Sequence, residues 1–154
     1  MLFCQLVQSS LKYKILVMNK EFFDDLYSNN LIDIPRNIFQ RKKQELTALK
    51  KLKGKNNFLS KYNLAVRYMF LYFLDNGYDI PNPKVHFIFR RFCSEILKIN
   101  SFEIHQIING RHRMKYKNIE PTQIITKNLE NVIGKIMVCY YKKSDYLMHV
   151  DCIG

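Results

Sequence analysis

At 154 residues the chain has the length of one ordinary domain, and 25 lysines and arginines against 13 aspartates and glutamates give it a formal net charge of +12. Its residues are 47% apolar with no low-complexity tract, which excludes general disorder, and few glycines (5) and prolines (4) suit helices joined by few turns. No stretch reaches the ~18 apolar residues of a membrane helix, and solubility alone needs far less excess charge than this, so the balance points to RNA, DNA or an acidic protein as partner.

Residues 1–17 mix apolar and polar positions and include Lys12 and Lys14. They lack the basic start and small-residue cleavage site of a signal peptide and read as an extension that adds little to the fold. Met18-Asn19-Lys20-Glu21 is a more ordinary start for a domain expected over 18–147. Lys20 to Tyr27 reads as a short helix with Phe22, Phe23 and Leu26 on one face, broken by Ser28-Asn29-Asn30. Pro35 suits the first position of the next helix, Arg36 to Lys53, with Phe39, Leu46, Leu49 and Leu52 near one stripe. Cations cover the rest of that helix: Arg41, Lys42, Lys43, Lys50, Lys51 and Lys53, offset by Glu45 alone.

Asn57 or Ser60 can cap a helix that is apolar almost all round from Phe58 to Leu74, and a helix apolar on every side is buried on every side. Gly77 is well placed as its left-handed stop. Pro81-Asn82-Pro83 then starts a helix in which Val85, Ile88, Phe89, Phe92 and Ile96 recur at helical spacing to about Ile99. Ile104, Ile107 and Ile108 open another. Glu120-Pro121-Thr122 starts the last long one, lined by Ile125, Leu129, Val132, Ile136 and Tyr140 and expected to fray after Lys143, with a tail over 148–154. The sum is an all-α chain, an up-and-down bundle of roughly four to five helices.

Cys4, Cys93, Cys139 and Cys152 form no C-x-x-C pair, and two lie in apolar helical patterns, so the reading is reduced thiols and a cytoplasmic protein. None of His86, His105, His112 and His149 has a partner at metal-ligand spacing on one helix; no metal and no cofactor are expected.

Two constellations carry chemistry. Gly110-Arg111-His112-Arg113-Met114-Lys115-Tyr116-Lys117 packs four cations behind an isoleucine stripe. Arg111 falls on that stripe, where it would point inward and could hold a phosphate bidentately. Tyr116 is one and a half turns further on. Arg113, Lys115 and Lys117 are expected to face solvent. In the central helix Asn63 and Arg67 share one face, and an arginine among so many apolar residues needs a partner. It is either tied to a carboxylate or carbonyl, or lines a cleft with Arg111 across it. Arg67, Asn63, Arg113, Lys115, Arg41, Lys42, Lys43 and Lys50 are the candidate nucleic-acid contacts.

The order of these features resembles HEPN domains (higher eukaryotes and prokaryotes nucleotide-binding), small helical bundles of bacterial toxins and defence proteins. The matching residues are Leu31-Ile32, the helix after Pro35, Tyr62-Asn63-Leu64-Ala65-Val66-Arg67-Tyr68, Asn76-Gly77-Tyr78, His86 after a short turn, and the Arg-rich segment ending in Tyr116. The resemblance implies that Arg111 takes the place of the family's arginine and Tyr116 that of a following tyrosine, the two candidate catalytic residues of a metal-independent ribonuclease. Ribonuclease branches place a histidine four to six residues beyond the arginine; here His112 is adjacent to Arg111 and Tyr116 occupies the later position. The resemblance further implies RNA, a cognate antitoxin or nucleotidyltransferase, and a homodimer as partners. The alternative is a non-catalytic helical module that binds a partner protein.

Overall fold

A computed structural model describes residues 19–153, with side chains described through residue 142. The expected extension over 1–17 lies outside the described residues, as do the side chains of the tail over 148–154. The described chain forms six helices: α1 (19–28), α2 (Ile38–Leu52), α3 (Phe58–Asp75), α4 (Val85–Glu95), α5 (Ser101–Lys117) and α6 (Gln123–Ile153). A 3-10 turn, Asn82–Lys84, leads into α4. The class is all-helical as expected, with six helices among the described residues against the four to five foreseen.

Local chemistry sets the ends. Asn57 caps α3, its side chain accepting from the Ser60 amide at 2.8 Å, and Gly77 closes the other end at φ +89°. Asn37, rather than Pro35, starts α2: its side chain accepts from the Gln40 amide at 3.1 Å, so the helix begins two residues later than the proline suggested. α4 stops at Glu95, short of Ile99, and Lys98 turns the chain with a left-handed φ of 57°. Asn100 then caps α5, and α6 spans Gln123–Ile153. Past Gly134 no glycine or proline interrupts it before its last residue.

α3 is the hub. It packs on α2, α4, α5 and α6, most broadly on α6 and α2. α1 adds Phe22 and Phe23, whose rings meet Phe73 edge-on. Leu129, Val132 and Ile136 supply the buried side of α6. A pair of backbone hydrogen bonds, Asp33 N–H to Asp79 at 2.9 Å and Asp79 N–H to Asp33 at 2.7 Å, ties the α1–α2 loop to the chain leaving α3. The expected stripe on α2 splits: Leu49 is buried, whereas Phe39 is 82% exposed.

Gly110 sets how closely α5 approaches its neighbours. A Cβ there would lie 3.3 Å from Phe58 Cζ and 3.3 Å from Pro121 Cγ, whereas one on Gly134 would meet open space. Two substitutions separate these cases. Gly110→Val should destabilise the fold by about 1–3 kcal/mol through overpacking. Gly134→Ala should stabilise it by about 1 kcal/mol through helix propensity. Thermal unfolding followed by circular dichroism checks both, with melting temperatures expected to move in opposite directions.

Candidate nucleic-acid interface

Tyr62 is the floor of the site. It sits in the first turns of α3 and is 0% exposed, so water cannot satisfy its hydroxyl. The partner is His86 Nδ1, at 2.9 Å. His86 is the second residue of α4, placed there by the turn that Pro81 and Pro83 induce. The phenol has one hydrogen and, among the described residues, Nδ1 is the acceptor within its reach. A phenol that donates there leaves the hydrogen of a neutral imidazole on Nε2.

Cations surround this pair. Arg111 on α5 lies over the Tyr62 ring, its guanidinium carbon 5.3 Å from the ring centroid. The side chain is half-buried and makes no ion pair among the described residues. Lys115 follows one turn along the same face of α5, and its charge also acts on His86. Arg90, one turn after His86 on α4, acts on Tyr62. Arg90 beside His86 on α4, and Arg111 and Lys115 on α5, therefore surround the Tyr62–His86 pair from two helices packed together.

The electrostatics follow from this placement. Burial, then the charges of Arg111 and Lys115, hold the His86 imidazole below its ordinary value. Burial pushes the Tyr62 phenol well above its ordinary value, so it keeps its hydrogen at any physiological pH. Burial likewise pushes the Cys93 thiol up to about 12, which leaves it an inert core group. Cys93 and Cys139 are free thiols. No three of the described histidines, cysteines, aspartates and glutamates converge on one point.

Other predicted contacts divide sharply. Arg67 is bound to Glu45 of α2 through two hydrogen bonds, 3.1 and 3.0 Å, and lies against Phe70. Five residues separate it from Tyr62, about 140° around the helix, so it faces α2 while Tyr62 faces α4 and α5. The cleft imagined between Arg67 and Arg111 is not formed, and Arg67 is the tied, structural arginine. Asn63 is exposed. Arg41 is occupied by Asp79 at 2.6 and 3.0 Å and by Glu45 at 3.1 Å, and Lys42 by Asp75 at 2.6 Å. Lys43 and Lys50 are exposed and make no ion pair among the described residues. Arg113 is exposed beside a small groove with Gly110 and Pro121. Tyr116 is 64% exposed, its ring 4.7 Å from that of His112 and near the Lys115 ammonium; no described contact joins it to Arg111.

Sequence reasoning passed over Tyr62 as a site residue, gave His86 no role and left Glu45 as a mere charge offset. Glu45 is 3% exposed and accepts from both Arg41 and Arg67. Its signal was visible: it is the lone acid in a cationic helix and must face inward to be worth keeping. No protein-family model, curated protein or solved structure matches the chain.

Two measurements probe this geometry. A histidine whose folded-state value is lowered binds fewer protons than the unfolded chain just below pH 6.5, so its contribution to stability is lost as pH falls through that window and is intact above it. NMR should show His86 titrating below 6.5, and Arg111→Ala should move its midpoint upward. Glu45→Gln should cost about 2 kcal/mol in chemical denaturation. That is less than the ~3–5 kcal/mol of a wholly buried pair, because both arginines reach solvent.

Proposed function

We propose that this chain is a HEPN-like, RNA-associated protein that holds RNA phosphates on the cationic cluster around Arg111. The observation that carries the reading is Arg111 itself: a guanidinium over the Tyr62 ring, with no carboxylate paired to it among the described residues and the His86 imidazole nearby. Such a group presents a fork of N–H donors that matches two phosphate oxygens. His86 Nε2–H adds a neutral donor, and Lys115 and Arg90 add charge. The order of helices, the apolar α3 and the arginine on a later helix are the features shared with HEPN domains.

Binding without cleavage fits the hydrogen-bond pattern better. Attack by a ribose 2′-hydroxyl needs a base, and an imidazole whose Nδ1 accepts from Tyr62 has its outer nitrogen protonated. Tyr116, the other candidate catalytic residue, stands on a different face of α5 from Arg111. RNA therefore meets a preorganised set of donors.

Fluorescence anisotropy with a labelled RNA oligonucleotide tests the reading. Affinity should fall steeply with salt. Arg111→Ala should weaken binding about tenfold, the loss of one charge-assisted contact, and flatten the salt dependence by about one phosphate. Arg111→Lys should recover the salt slope but only part of the affinity. No binding at low salt would refute the proposal. Metal-independent RNA cutting that is lost in His86→Ala would replace it with a nuclease whose imidazole carries its hydrogen on Nδ1.

A further inference from the structure

The outer face of α2 has a pattern that the cluster around Arg111 does not use. Phe39 is 82% exposed and Leu46, seven residues later, is 41% exposed. Lys43 and Lys50, also seven residues apart, are exposed on the same side. Their spacing is that of one heptad seam: apolar residues two turns apart, about 10.5 Å along the axis, each followed four residues later by a lysine. Two other cations of the helix are held elsewhere. Arg41 is tied to Asp79 and Glu45, and Lys42 to Asp75. Among the described residues, the seam sets exposed apolar surface beside lysines that make no ion pair.

From this we infer that α2 is a docking surface for an acidic amphipathic helix of a partner protein. Such a helix would lay its apolar residues against Phe39 and Leu46 and place glutamates or aspartates against Lys43 and Lys50. This is how flanking charges select a partner at a helical seam. Charge complementarity chooses the occupant. A second copy of a +12 chain would set lysines against lysines. Residues 1–17 carry Lys12 and Lys14 and no acid. Nucleic acid would satisfy the lysines, but Leu46 offers no π face on which a base could stack, and a seven-residue apolar repeat is the register of another helix.

The surface is independent of the RNA reading, and one experiment keeps the two apart. The probe is a synthetic helix with leucines along one heptad seam and glutamates flanking it; the control carries lysines in place of the glutamates. Binding to the full chain is read by fluorescence anisotropy. The glutamate helix should bind and the lysine helix should not. Phe39→Ser with Leu46→Ser should weaken binding about tenfold or more, with an unchanged thermal melt because both side chains face solvent. Lys43→Glu with Lys50→Glu should abolish binding of the glutamate helix and create binding of the lysine helix. Arg111→Ala should change neither. Equal binding of both helices, or of neither, overturns the inference. So does a loss of RNA affinity in the Lys43→Glu, Lys50→Glu variant matching that of Arg111→Ala, which would make α2 part of the nucleic-acid face. A dimer in sedimentation that the Phe39→Ser, Leu46→Ser variant dissociates would give the seam to a second copy instead.

Discussion

A phenol hydroxyl that water cannot reach organises the functional end of this molecule. Tyr62 is buried because α3 is buried, and its polar atom must find a partner inside the protein. The chain supplies one by ending α3 at Gly77, turning through Pro81 and Pro83, and starting α4 so that His86 returns over the ring. The same ring gives Arg111 a flat surface to lie on. One core side chain thus fixes an imidazole and a guanidinium from two other helices, and each loses the freedom that surface side chains keep. That is preorganisation in the plain sense: the ordering cost is met by folding, before any ligand arrives.

A second network does the opposite with similar residues. Glu45 and Asp79 draw in Arg41 and Arg67, and Asp75 draws in Lys42. These cations join α2, α3 and the loop after α3 into one unit and leave little charge free for a ligand. Arg41 and Arg67 on one side and Arg111 on the other therefore play different parts. Those with a carboxylate hold helices together, and Arg111, with an aromatic ring in place of a carboxylate, keeps its charge available. The difference lies in the partner, not in the arginine.

Much of the fold was legible from local pattern. The uniform apolarity of Phe58 to Leu74, the Asn57 cap, the Gly77 stop and the Leu129–Val132–Ile136 face are all short-range signals, and short-range physics sets them. Arg111 was legible in part, since its place on the isoleucine stripe predicted that it points inward. The rest depended on contacts between distant residues. Tyr62 and His86 are 24 positions apart, and Arg41 and Asp79 are 38 apart. Periodicity along one helix cannot say which neighbour a side chain will meet. For that reason Arg41 and Lys42 looked like free cations, the partner of Arg67 stayed unnamed, and Phe39 and Leu46 looked like core. Glu45, the one acid among many cations on α2, looked like a charge offset, and its burial between Arg41 and Arg67 came from the tertiary contacts.

The central claim is that the buried Tyr62 hydroxyl donates to His86 and thereby fixes an outward Nε2–H beside Arg111. Nitrogen-15 NMR of the imidazole reads this directly above the titration of His86, where the ring is neutral. The account predicts that His86 carries its hydrogen on Nε2 in the wild-type chain, and that Tyr62→Phe, which removes the donor, releases the ring into a mixture of both tautomers. A wild-type ring protonated on Nδ1, or a tautomer that Tyr62→Phe leaves unchanged, would contradict it.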